Sequence, residues 1–160
     1  MTTTITFPAM TRGELAPAVQ AHFGRPEDFR QGQLPVEPGS YVWTCGEDDA
    51  VVYIGSAASL KKRLGDYGRW MAGYDPDSEW TVTVVHMLKT LDARVQWLPT
   101  GTHAEALELE RRLIEWHRAC IGAAPPIVGW DAKPGSRRAE AEKWSRELYN
   151  ATHPRAADPD

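Results

Sequence analysis

Residues 39–67 read GSYVWTCGEDDAVVYIGSAASLKKRLGDY, and the architecture of the chain follows from this stretch. Two runs rich in β-branched and aromatic residues, 41–45 and 51–54, flank the polar turn Gly46-Glu47-Asp48-Asp49, which is the composition of a β-hairpin. A helix is expected next. Ser56 or Ser59 offers a hydroxyl to its free first-turn amides, and Leu60, Leu64, Tyr67 and Met71 recur at helical spacing. Arg63 lies one turn before Tyr67 on nearly the same face. If Tyr41 and Tyr53 serve one site, they must project from the same face of the hairpin. Their equal parity permits this in a register that pairs Trp43 with Tyr53 and Cys45 with Val51, leaving 46–50 as the loop.

Upstream, Thr11 and Glu14 match a capping box, and a helix over 12–23 ended by Gly24 is predicted. Residues 25–38 carry three prolines and two charged clusters without a period and read as an irregular arm. Downstream, Gly68, Gly73 and Tyr74-Asp75-Pro76 break the helical pattern, and Asp77 or Ser78 can cap a second helix. Thr81 to Val85 is β-branched, yet Trp80, Val84, Met87, Leu88 and Leu91 make a helical stripe over three turns, which favours a helix. Residues 93–98 alternate Val95 and Trp97 against Arg94 and Gln96, a short strand closed by Pro99 and Gly101.

The clearest helix spans 102–119, with Thr102 as cap and Glu105 three residues on. At about 100° per residue, Ala106, Leu107, Leu113, Ile114 and Ile121 form one apolar stripe, and Glu105, Glu108 and Glu115 fall on the far side with Arg112. Glu110 sits at the centre of the apolar stripe. A carboxylate there costs several kcal/mol, roughly, unless it is paired, protonated or bound to a cation. An internal ion pair to an arginine and a role as metal ligand or general acid/base are equal readings on residue chemistry alone. His103 and His117 share the stripe but lie about 10 Å to either side of Glu110 along a straight helix, too far to share one metal ion with it. Packing or surface roles suit them better. Beyond, 122–129 with Pro125-Pro126 is loop, and a charged helix begins at Ser136 and ends near Leu148.

These elements describe an α+β chain: a small three-stranded sheet, hairpin plus one later strand, flanked by helices and carrying N-terminal and C-terminal helical extensions. The division is 1–38 for helix and arm, 39–130 for the central domain and 131–160 for the charged helix and tail. The formal net charge of -4 does not advertise nucleic-acid binding, so such a partner needs a local basic patch. Lys61, Lys62 and Arg69 make the best one. Lys133, Arg137, Arg138, Lys143 and Arg146 make a second, interleaved with Glu140, Glu142 and Glu147 and equally a solvated face. Cys45 and Cys120 have no metal-ligand or disulfide spacing and read as buried thiols. With no secretory pattern at the N-terminus and no run near the ~18 apolar residues of a membrane span, a cytoplasmic location is expected.

Together the hairpin, the arginine helix and the glutamate helix resemble the GIY-YIG nuclease superfamily, which includes the nuclease domains of the bacterial nucleotide-excision repair endonuclease and of homing endonucleases. The first motif stands as Gly39-Ser40-Tyr41 and the second as Tyr53-Ile54-Gly55, with eleven residues between the two tyrosines. YIGSAASLKKRLGDY reproduces the family's arginine at Arg63 and its aromatic residue at Tyr67, and EALELERRLIEWH resembles its glutamate helix. The resemblance covers about 39–126. Ser40 replaces an apolar residue of the first motif, and its side chain alternates away from Tyr41. The family's asparagine after a proline beyond the glutamate helix has no counterpart in Pro125-Pro126-Ile127-Val128-Gly129; either Asn150 or another polar group substitutes, or part of the site is missing.

The resemblance implies metal-dependent hydrolysis of phosphodiester bonds in DNA, in preference to RNA. By similarity, Glu110 holds a single Mg²⁺ or Mn²⁺, Arg63 neutralises the scissile phosphate, Tyr41 or Tyr53 accepts or relays the proton of the attacking water, and Tyr67 orients water or phosphate. Lys61, Lys62 and Arg69 contact the nucleic acid. Any sequence specificity comes from loops, the arm or dimerisation, so a homodimer is allowed. The alternative is a catalytically inactive module of the same fold that binds nucleic acid or protein.

Overall fold

The computed structural model describes residues 9–15, 22–74, 76 and 79–127, without the side chains of Glu79 and Trp80. Two strands, β1 (Gly39–Cys45) and β2 (Ala50–Ala57), form the expected hairpin, and β3 (Arg94–Pro99) pairs with the other side of β1. The sheet is antiparallel in the order β2-β1-β3. Its central strand is buried along its whole length, as expected of a strand covered on both faces and flanked at both edges.

One sheet face carries Tyr41, Trp43, Val52, Val95 and Trp97. It packs against α3 (Leu60–Met71) through Leu60, Leu64 and Tyr67, and against α4 (Glu79–Thr90) through Val84, Val85 and Leu88. The helical stripe therefore prevails over the β-branched run 81–85, because its apolar spacing has a sheet to cover. The other face carries Val42, Val51, Ile54 and Leu98 under Leu113 and Ile114 of α5 (His103–Ile121). Thr102 accepts from the Glu105 amide at 3.1 Å, as the sequence suggested, while the Glu105 carboxylate accepts from the Gly101 amide at 3.2 Å, one residue before the cap. Gly122 ends α5 at φ 87°, a left-handed conformation that favours glycine.

The hairpin register differs from the expected one in a single place. Trp43 pairs with Tyr53, but Cys45 then pairs with Ala50, and a bulge between Trp43 and Thr44 absorbs Val52. The turn is 46–49 and Ala50 belongs to β2. The bulge preserves the common face of Tyr41 and Tyr53, since Val52 packs into the same core as Tyr41, and Val51 into the opposite one. The Val52 carbonyl accepts from the Ile127 amide at 3.1 Å.

Of the helix expected over 12–23, the described residues show its first turn, α1 (Arg12–Leu15), with the Thr11 cap on the Glu14 amide at 3.2 Å; residues 16–21 lie outside the described residues. Met10 and Arg12 bond the start of β2, the Val51 amide to the Met10 carbonyl and the Arg12 amide to the Asp49 carbonyl. The arm is not wholly irregular, because Pro26 at the first position starts α2 (Pro26–Arg30), whose Phe29 meets Trp43 edge-on at 5.8 Å. Past it, the Pro35 and Glu37 carbonyls accept from the Lys61 and Leu60 amides, so the arm straps the start of α3. Leu107 also departs from expectation. It is 49% exposed, and the buried stripe of α5 runs instead through Ala106, Glu110, Leu113, Ile114, His117 and Arg118. The charged helix expected from Ser136 lies outside the described residues. No helix among the described residues is long and apolar enough to cross a membrane.

Candidate active site

The edge strand β2 positions the site. Met10 and Arg12 cover its first residues, while Tyr53, Gly55 and Ser56 line a cleft of about 450 Å³. Tyr41, Tyr53 and Gly55 belong to the α3 face and Ser56 to the α5 face, so the cleft wraps around the strand's edge. Arg63 and Tyr67 from α3, Thr81 and Val84 from α4, and His103, Leu107 and Glu110 from α5 complete its walls. All five residues singled out as catalytic by sequence, Tyr41, Tyr53, Arg63, Tyr67 and Glu110, thus line one cleft.

The three phenols form a packed cluster. Ring centroids of Tyr41 lie 6.0 Å from those of both Tyr53 and Tyr67, each edge-on, the favourable arrangement of ring quadrupoles. The Tyr41 ring lies over Gly55, where an added Cβ would come within 2.5 Å of the phenol. The glycine of the second motif is therefore the floor on which the tyrosine of the first one rests. Burial, then the neighbouring Tyr53 and Tyr67, push the Tyr41 hydroxyl well above its ordinary pKa, and the Arg63 charge opposes that rise. Burial and Tyr53 likewise raise Tyr67. Both are held as neutral phenols. Tyr53 is half-buried and Arg63 exposed.

On the far wall Glu110 is 8% exposed. The Ser56 hydroxyl donates to its Oε2 at 2.7 Å, a charge-assisted bond. Ser56 does not cap α3; Ser59 does, accepting from the Lys62 amide. Among the described residues no three His, Cys, Asp or Glu side chains converge as metal ligands. The donor set in the cleft is one carboxylate with hydroxyls around it, which suits a hard divalent cation that keeps most of its waters.

Two expectations about the histidines separate here. His117 is fully buried, accepting at Nε2 from the Met10 amide at 3.3 Å, with Nδ1 2.6 Å from the Ala123 carbonyl; it tethers the N-terminal segment to α5. His103, read as packing or surface, is exposed but belongs to the cleft wall. Of the basic patch, Lys61 and Lys62 are exposed on α3, and Arg69 is ion-paired with Asp66. Residues 123–127 return to the sheet with Ile127 fully buried and offer no polar side chain to the cleft. Asn150 and the second basic cluster lie outside the described residues. Sequence reasoning missed Ser56, Thr81 and Leu107. Ser56 left one signal, since a serine pairs with a serine at Ser40 where the neighbouring positions Val42 and Ile54 are apolar.

Residues 37–119 match the family model of the UvrC-like GIY-YIG domain. The chain is similar to the UvrABC system protein C of Haloarcula marismortui, 40% identical over 91 residues, covering 56% of this chain and 14% of that protein. It is also similar to that of Mycobacterium tuberculosis, 38% identical over 79 residues, covering 49% and 11%. The chain thus spans less than a sixth of the length of these relatives. Among solved structures, the GIY-YIG N-terminal endonuclease domain of UvrC from Thermotoga maritima, bound to magnesium, is 26% identical, with a TM-score of 0.45 over 63% of this chain and 96% of that one.

Proposed function

The chain belongs to the UvrC-like GIY-YIG domain family, and on that basis we propose that it is an endonuclease hydrolysing phosphodiester bonds in DNA with the help of a single divalent cation. The observation that carries this reading is the convergence of Tyr41, Tyr53, Arg63, Tyr67 and Glu110 on one cleft at the edge of β2. A binding module has no use for a buried carboxylate facing an arginine and a phenol cluster.

In this proposal Glu110 holds Mg²⁺ or Mn²⁺, which when bound supplies Lewis-acid neutralisation of charge on the phosphoryl group. Arg63, exposed at the cleft wall, offers a planar fork to two phosphoryl oxygens as charge spreads onto them. Tyr53, half-buried, is the phenol placed to take up or relay the proton of the attacking water. Tyr41 and Tyr67 are held neutral and donate hydrogen bonds that orient water or phosphate. Lys61 and Lys62 attract the backbone during encounter and touch no reacting atom.

Incubating the protein with supercoiled, branched and single-stranded DNA in Mg²⁺ or Mn²⁺, with and without chelator, tests the proposal. Cleavage that needs the metal and disappears in Glu110→Gln is the expected result. No cleavage by wild type on any of these substrates with either metal contradicts it.

A further inference from the structure

We propose that Ser56 is a positioning residue for Glu110: its hydroxyl fixes the orientation of the carboxylate that takes the divalent cation. The inference rests on the metal reading of the cleft and adds to it a residue that the two motifs do not contain.

A glutamate side chain reaches its site through three rotatable bonds, so a carboxylate on a helix is placed only if something outside the helix holds it. Ser56 does so from β2, at 2.7 Å from Oε2. The strand beneath is itself fixed. Ser56 pairs directly with Ser40 of β1, and the Ser40 hydroxyl, 1% exposed, donates to the Gly55 carbonyl at 2.8 Å. Farther along the same face the corresponding positions are Val42 and Ile54, which pack under α5. Apolar packing would extend those aliphatic side chains to the strand end. The face turns polar where the carboxylate arrives, and the polar atoms point at it or brace the strand that points at it. This also accounts for the Ser40 departure in the first motif, whose hydroxyl supports the Gly55-Ser56 backbone. Groups that orient a metal ligand typically change metal affinity ten- to a hundredfold when removed.

The test is a direct titration of the full chain with Mn²⁺, followed by the paramagnetic resonance of the free ion, alongside thermal midpoints in chelator. Ser56→Ala should weaken Mn²⁺ binding by about tenfold with an unchanged midpoint in chelator, Ser56→Thr should restore the affinity, and Glu110→Gln should abolish binding. Wild-type affinity in Ser56→Ala, when Glu110→Gln has lost it, overturns the positioning role alone. Loss of both affinity and midpoint in Ser56→Ala without recovery in Ser56→Thr makes Ser56 a packing residue and also overturns it. A wild type that binds no Mn²⁺ overturns the metal reading and this inference with it.

Discussion

The two faces of the sheet contribute to one cleft in opposite ways. On the α3 face the site residues are themselves core: Tyr41 and Tyr67 are 2% and 4% exposed, and the Tyr67 ring meets Tyr41, Trp43 and Trp70. On the α5 face the buried polar groups Ser40, Glu110, His117 and Arg118 interrupt an aliphatic layer. Under the proposed function, activity and stability share atoms on the first face and are separable on the second. The ionisable groups also divide accordingly, with phenols whose neutral forms are favoured on one side and a carboxylate and an imidazole on the other.

The largest effect should come from the aromatic face. Tyr67→Ala removes three ring contacts and should destabilise by about 3–5 kcal/mol, read in denaturant titrations, whereas Tyr67→Phe keeps most of that stability. A cost under about 1 kcal/mol for the alanine variant would break the comparison. Gly55→Ala should cost less, about 1–3 kcal/mol, because its Cβ must displace the Tyr41 ring. Spectroscopic evidence of an unmoved tyrosine in a fully stable variant would count against the close approach.

The α5 face should respond to pH below neutrality, a range in which the phenols of the aromatic face stay protonated in both folded and unfolded chains. Burial first, and the Arg118 charge after it, lower the His117 pKa below its ordinary 6.5, with the Ala123 carbonyl opposing. The unfolded chain then binds a proton before the folded one does. Stability is at its full value above about pH 6.5 and is lost as pH falls through the window down to the folded pKa, by about 1.4 kcal/mol per unit of separation. His117→Gln should flatten this slope, and an unchanged slope in that variant would assign it to other groups. The smallest effects belong outside the cleft. Lys61→Ala and Lys62→Ala should each reduce the salt slope of DNA binding by about 0.9 with the saturated cleavage rate unchanged; a lost rate would move those lysines into the chemistry.

The contrast between faces also explains what the sequence made legible. The hairpin, α3, α4, β3 and α5 were readable because each carries its own local signal: alternation, caps at Ser59 and Thr102, and stripes through Leu64, Val84 and Leu113. Glu110 was readable because a charge in an apolar stripe is a conflict that needs a partner. The Val52 bulge was not, since one extra β-branched residue in a valine pair leaves the composition of a strand intact. Nor was Ser56, whose role depends on a residue 54 positions away. Leu107 was misplaced because a helical stripe gives an angle, and the end of the sheet decides how far along the helix that angle is covered.

The separation of function from stability at Glu110 is tested most directly by comparing Glu110→Gln with wild type, measuring unfolding free energy in chelator and single-turnover cleavage in Mg²⁺ on the same preparations. Stability should change by no more than about 1 kcal/mol, while cleavage falls by more than about a hundredfold, the worth of a few kcal/mol of transition-state charge stabilisation. A variant destabilised by roughly 3 kcal/mol or more, cleaving at the wild-type rate per folded molecule, would contradict the account and make the buried carboxylate a structural partner.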